Sequence, residues 1–298
     1  MTAPSTHEPS APAILSEYTR RDRIELEVAF RKRQVLGICR AAVGRRRAAT
    51  PLLVLTTSRS GSTWLCELLS GINHRGPLPE HLRPQHLEYA IGSPDGRARL
   101  TAWLEEAALR IRSGRDGGSK LIWDYFPELF AASDAAKLRT ALAPLLALAP
   151  ACVRLRRRDL AEQAVSRYRA SLTGVYHHQR RAGTGLLATQ DGAGAQARAT
   201  IFDAAAIARH EDVLRRAEAH LDAAIASLGR PVHELIYEEL AAAPRELLLP
   251  ITARLREDLD QRAQRQRLQR ALDCARIQKT GDVLQTEWTR RYRAERRP

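Results

Sequence analysis

The clearest pattern in the chain lies between Leu52 and Leu69, LLVLTTSRSGSTWLCELL. Four apolar residues, Leu52 to Leu55, run without a polar break. Small polar residues follow, and then apolar residues return at helical spacing. An unbroken apolar run of this length predicts a strand buried on both faces, as parallel strands are. The spacing after it predicts a helix, so the segment reads as strand, tight loop, helix.

The same alternation recurs downstream. Leu100 to Ile111 has the spacing of a surface helix, and Gly117 to Trp123 reads as a turn entering a short buried strand. Phe126 to Leu148 is helical in pattern, with Pro144 and Pro150 as breaks. Cys152 to Arg156 alternates as a strand does, and Asp159 is placed to cap a helix over Leu160 to Leu172. Ile201 to Leu228 predicts a long helix closed by Gly229, Val232 to Ile236 a strand, and Leu247 to Leu272 one charged helix. Strands alternating with helices imply a three-layer α/β domain, with a central, mostly parallel sheet flanked by helices. Residues 1–15 are rich in Pro, Ser and Ala and read as a disordered tail. Residues 16–50 read as a basic helical extension, residues 51–298 as the main domain, and residues 174–199 within it as a mobile substrate loop or lid.

Composition narrows this picture. The 298 residues, 44% hydrophobic and 28% charged, suffice for one full core. No window approaches the roughly 18 apolar residues of a membrane helix, and the first residues lack a signal-peptide pattern. The expectation is a cytoplasmic protein. Cys39, Cys66, Cys152 and Cys274 are scattered without ligand spacing, so neither zinc nor a disulfide framework is indicated. The net charge of +14 suits an anionic ligand, nucleic acid or an anionic membrane surface.

The loop itself carries the first chemistry. Ser58, Arg59, Ser60, Gly61, Ser62 and Thr63 stand where a helix N-terminus presents backbone N–H groups and a favourable dipole to an anion. Gly61 permits close backbone approach, the hydroxyls add donors and Arg59 adds charge. The loop is P-loop-like, but Ser62 replaces the lysine of G-x-x-x-x-G-K-[ST] and the first glycine is missing. A 5′-phosphate or phosphosulfate fits better than a nucleoside triphosphate. Glu80 follows in a Gly/Pro-rich loop near the end of the first strand, with His74, His81 and His86 in the same segment. Arg157 and Ser166 could hold a second phosphate, and Tyr176 and His177 fall in the 174–199 loop.

These sites, taken together and in order, resemble sulfotransferases that use 3′-phosphoadenosine 5′-phosphosulfate (PAPS), most nearly the bacterial trehalose 2-sulfotransferase-like carbohydrate family. Ser58 to Thr63 is similar to that family's phosphosulfate loop. Gly76 and Glu80 match its Gly-x-Pro-x-Glu-type segment, with the proline shifted. Gly118-x-Lys120-Leu121-Ile122-Trp123 resembles its Gly-Lys-Leu-Met-Trp strand, with Ser119 inserted. Arg157-Arg158-Asp159 through Ser166 resembles its 3′-phosphate segment, and Tyr237-Glu238-Glu239-Leu240 its Tyr-Glu-Asp-Leu. Glu287-Trp288-x-x-Arg291-Tyr292-Arg293-Ala294-Glu295 matches its C-terminal signature.

The resemblance implies an enzyme that moves the sulfuryl group of PAPS to a hydroxyl of a saccharide or glycolipid, releasing adenosine 3′,5′-bisphosphate, without a metal. Glu80 is the implied general base, with His81 and His74 as its competitors for that role, and Arg59 is a catalytic cation. Ser58 to Thr63, Arg157, Ser166 and Lys279 are the implied donor site. His81, Lys120, Trp123, Tyr176 and His177 are the implied acceptor contacts, although a buried core position suits Trp64 and Trp123 better than a sugar contact. A homodimer and a weak contact with an anionic membrane surface stay open as partners; nucleic acid does not. Competing readings are a nucleotide-binding kinase or NTPase, against which the missing lysine counts, a non-catalytic basic module for nucleic acid or lipid, and a sulfotransferase that binds its nucleotide without catalysis.

Overall fold

A computed structural model describes residues 51–73, 78–80, 96–112, 116–125, 151–173, 201–226, 228–229, 231–275 and 283–296. The apolar run forms β1 (Leu52–Thr56), every residue of which is buried. The helix predicted after it is α1 (Ser62–Asn73). Then come α2 (Gly96–Arg112), β2 (Gly118–Ile122) with a 3-10 turn over Trp123–Tyr125, β3 (Ala151–Arg156) and α3 (Leu160–Thr173). They are followed by α4 (Ala204–Ala226), β4 (Val232–Ile236), α5 (Tyr237–Ala242), α6 (Pro244–Leu255), α7 (Gln261–Cys274) and α8 (Val283–Glu295).

The strands pair in the order β2-β1-β3-β4, all parallel. Their registers align Thr56 with Ile122 and with Leu155, and Arg156 with Ile236. The carboxyl ends of the four strands therefore share one edge. After β1 the chain crosses to one side for β2 and to the other for β3, so the switch in direction falls beside β1. Open α/β sheets bind ligands at that place.

Alternation along the strands separates two cores. Leu53, Leu55, Leu121 and Cys152 pack with Trp103, Leu104 and Ala108 of α2 and with Ala217 and Leu221 of α4. Leu52, Val54, Val153 and Leu155 pack with Leu65, Leu68 and Leu69 of α1 and with residues of α6 and α7, including Ile251 and Leu268. The three-layer α/β architecture is as the sequence implied. A third cluster joins α3, α4 and α8 through Tyr168, Ile207, Leu214, Trp288 and Tyr292.

One expected element is corrected. The helix predicted over Leu247 to Leu272 is two helices, α6 and α7. Arg256 turns back on Asp258 through Nε–Oδ1 and Nη2–Oδ2 contacts of 2.8 and 2.9 Å, and Asp260 caps α7 by accepting from the Ala263 N–H at 2.8 Å. The Asp159 cap on α3 stands: its carboxylate accepts from the Glu162 N–H at 2.9 Å. Residues 1–50, the 126–148 helix and the 174–199 loop lie outside the described residues. Among the described residues, no helix is long and apolar enough to cross a membrane.

Candidate active site

The site begins where β1 ends. Thr56 Oγ1 donates to the Leu155 carbonyl at 2.8 Å and lies 2.6 Å from Ser60 Oγ, closing the loop on itself. Arg59 has φ +61 and Gly61 φ +87, both left-handed. A Cβ on Gly61 would stand 2.3 Å from the Tyr237 ring, so the glycine serves close approach as well as conformation. The first N–H groups of α1 lack intrahelical partners by geometry and face out of the helix end, the arrangement that receives an anion.

Cations converge on this end. Arg59 Nε donates to Ser166 Oγ of α3 at 2.9 Å. Arg157, the first residue after β3, donates from Nη1 to the Arg59 carbonyl at 3.2 Å. Its guanidinium lies 5.0 Å from the centre of the Tyr237 ring and pairs with Glu162 at 2.7 Å and Glu238 at 3.6 Å. Tyr237, the first residue after β4, meets Trp64 edge to face at 6.4 Å. A cavity of about 400 Å³ opens beside Arg157, at the ends of β3 and β4, and is lined also by Arg156, Arg158 and Arg215.

A carboxylate and a lysine sit on the β2 side. The Lys120 N–H donates to the Pro79 carbonyl at 3.0 Å, which lays residue 79 along the outer edge of β2. Glu80 Oε2 then reaches Lys120 Nζ at 3.1 Å, with both side chains largely buried. Lys120 pairs in register with Val54, on the face covered by α1. There Cys66 senses both charges, although burial dominates and pushes its thiol up to about 12. The pair therefore lies against the first turns of the helix whose N-terminus forms the anion loop.

Beneath the loop is a buried polar layer. Asp124, with no accessible side-chain surface, accepts from the Ser58 N–H and from Ser58 Oγ, each at 2.6 Å, and from Arg167 Nε at 3.1 Å. Gln163 Nε2 donates to the Ser58 carbonyl at 2.6 Å and to Thr57 Oγ1 at 2.9 Å. Thr57 Oγ1 donates to Glu218 at 2.7 Å, and Glu218 is held by Arg154 at 2.8 Å. Arg167 also donates from Nη1 to His210 Nδ1 at 2.6 Å. A guanidinium can only donate, so this imidazole carries its proton on Nε2. Burial first, then the charges of Arg167 and Arg209, push His210 down to about 4.

With this geometry in view, the comparison with protein families is decisive. A model of the Stf0 sulphotransferase family matches residues 51–295. The chain belongs to that family. No curated protein matches it. Sulfuryl transfer is the activity this membership supports, and the motifs quoted from the sequence all fall within the matched span.

The structure sorts the sulfotransferase's expected site residues into three groups. It gathers Ser58 to Thr63, Arg157 and Ser166 at one strand edge and joins Glu80 to Lys120. It turns the Ser58 hydroxyl inward onto Asp124 and ties the Ser60 hydroxyl to Thr56, so both shape the loop. Trp123 is buried in the core with Leu53 and Trp103, the structural alternative weighed for it. His81, Tyr176, His177 and Lys279 lie outside the described residues, as do His74 and His86. Among the described residues, no group of His, Cys, Asp and Glu could hold a metal ion. Asp124, Gln163, Glu218 and Arg167 were missed by sequence reasoning. Asp124 and Arg167 directly follow quoted motifs and Gln163 lies within one, but nothing local marked any of them as anchors, and Glu218 lies near no motif.

Proposed function

We propose that this sulfotransferase takes its sulfuryl group from PAPS and delivers it to a hydroxyl of a saccharide or glycolipid, with Glu80 as general base. The observation that carries the reading is the meeting of Arg59, Arg157 and Ser166 beside the N-terminus of α1. Two guanidinium groups, a hydroxyl and a helix N-terminus form a donor set for two phosphate groups on one ligand. The close fit of Gly61 under Tyr237 keeps the loop backbone uncovered by any side chain of its own at that residue.

PAPS supplies a sulfuryl group that leaves the 5′-phosphate oxygen and bonds to the acceptor oxygen as the acceptor loses its proton. The N–H groups of residues 60–63 and the Arg59 guanidinium stabilise the negative charge on the departing phosphate. Arg157 and Ser166 hold the 3′-phosphate. Glu80 keeps Oε2 on Lys120 and takes the acceptor proton on Oε1. Lys120 thereby fixes the carboxylate's direction. The carbohydrate class of the acceptor follows from the family resemblance. Cys66, Cys152 and Cys274 form no disulfide, which suits a cytoplasmic, reducing setting.

Thermal unfolding tests this reading. Adenosine 3′,5′-bisphosphate at about a hundred times its Kd should raise Tm by about 5–10 °C, while ATP and adenosine 5′-monophosphate at the same concentration give much smaller rises. Arg157→Ala should remove most of the rise. In an acceptor screen with sugars, Glu80→Gln should abolish transfer and keep the Tm response. An equal response to ATP would sink the donor assignment.

A further inference from the structure

The left-handed conformation of Arg59 needs an explanation. Outside glycine, only a few per cent of residues adopt positive φ, and holding one there strains the backbone. Surrounding structure must impose it. Three side chains, Gln163, Asp124 and Arg157, do so, and between them they fix the backbone on both sides of Arg59.

The φ angle of Arg59 is the rotation between its Cα and the peptide plane formed with Ser58. That plane is held at the Ser58 carbonyl by Gln163 Nε2 at 2.6 Å. Ser58 is held in turn by Asp124, which takes both its N–H and its hydroxyl at 2.6 Å. The ψ angle of Arg59 is the rotation against the following plane, held at the Arg59 carbonyl by Arg157 at 3.2 Å. With both planes fixed, the Arg59 side chain leaves the loop in one direction, toward Ser166.

The chemistry of Asp124 supports this role. A carboxylate buried under an anion-binding loop opposes the anion electrostatically. Packing alone would be better served by a neutral side chain. What the carboxylate supplies is two short bonds to one residue, with Arg167 Nε at 3.1 Å offsetting its charge. Gln163 has no accessible surface, and both side chains come from elements other than the loop, the 3-10 turn after β2 and helix α3.

We infer that Asp124 and Gln163 are positioning residues that, by locking Ser58, aim the Arg59 guanidinium into the donor site toward Ser166. The inference rests on the donor-site reading above. A thermodynamic cycle tests it without an acceptor sugar. Titration calorimetry follows adenosine 3′,5′-bisphosphate binding to the full chain as wild type, Asp124→Ala, Arg59→Ala and the double variant. If Asp124 acts through Arg59, each single change weakens binding about tenfold, and the double variant stays within about twofold of Arg59→Ala, because the two residues work as one unit. Asp124→Asn, which keeps one acceptor for the Ser58 N–H, should recover to within about threefold of wild type. Should Asp124→Ala fail to fold by circular dichroism, the same cycle run with Gln163→Met supplies the result.

Losses that multiply to about a hundredfold in the double variant, or wild-type binding by Asp124→Ala, would overturn the positioning role and leave the donor site standing. Absence of binding by the wild type itself would overturn the donor-site reading and this inference with it.

Discussion

Arg59 Nε donates to Ser166 Oγ at 2.9 Å, joining the anion loop to helix α3 across 107 residues of sequence. The hydroxyl does two things at once. It orients the Arg59 guanidinium, proposed to stabilise the departing phosphate, and with Arg157 it forms the proposed seat of the second phosphate. Ser166→Ala removes an uncharged partner of a charged donor, a contact worth about 1.5–3 kcal/mol. Its affinity for adenosine 3′,5′-bisphosphate should fall about tenfold or more in a calorimetric titration, and its Tm in the absence of ligand should fall by a few degrees, because the contact is already made in the unliganded chain.

Gly61 meets two constraints, and a substitution separates them. Gly61→Ala must place a methyl group 2.3 Å from the Tyr237 ring and hold φ +87. Overpacking and backbone strain together should cost about 2–4 kcal/mol in urea unfolding. Adding Tyr237→Ala relieves only the steric share of that loss, so the double variant should remain less stable than Tyr237→Ala alone.

Lys120 and Glu80 form a mostly buried pair at 3.1 Å. Removing one partner of such a pair strands the other charge away from water, at a cost of about 3 kcal/mol. Lys120→Met should lose about that much in denaturant titrations. Lys120→Met combined with Glu80→Gln should regain most of it, because neither charge then remains. Loss of sulfuryl transfer in both variants, set against regained stability in the second, would separate catalysis from folding.

His210 makes stability depend on pH. Its imidazole ordinarily titrates near 6.5, and in the folded chain burial and the arginines beside it bring this down to about 4. The unfolded chain therefore binds the proton more readily. The contribution is complete above about pH 6.5 and drains away as pH falls toward 4. Discounted for partial exposure, the loss between pH 7 and pH 5 is about 1 kcal/mol. His210→Gln should show a correspondingly smaller drop in urea midpoint over the same range.

Much of the fold was legible because it rests on local signals. Leu52 to Leu55 announced a strand buried on both faces, and the apolar spacing after the loop announced α1. Asp159 announced the start of α3. The break between α6 and α7 was also written locally, in Asp260, yet helical spacing on either side masked it. The layer under the loop had no such signal. Asp124 lies 66 residues from Ser58, Gln163 lies 105, and Glu218 lies 161 from Thr57. An acid after a tryptophan, a glutamine in a helix and a glutamate in a long helix each look like ordinary surface residues until the strand order brings them together.

The C-terminal signature that carries part of the family resemblance also has a physical role in the structure. Trp288 and Tyr292 pack into the cluster joining α3, α4 and α8, and the Tyr292 hydroxyl donates to Glu211 at 2.7 Å. Burial, then this bond to Glu211, pushes the phenol above its ordinary range. Arg293 pairs with Asp159, the cap of α3. The signature thus clamps the helix that carries Gln163 and Ser166.

The distances in sequence between the loop and its anchors have a consequence for synthesis on the ribosome. Thr57 is made 161 residues before Glu218. At about 5–20 residues per second, the interval is about 8–30 s. Throughout it the nascent chain carries the whole anion-loop motif without the full set of side chains that gives the loop its shape. The loop therefore reaches its final shape late in translation, when α4 closes over the sheet, and a product truncated before α4 would retain the motif without its Glu218 anchor.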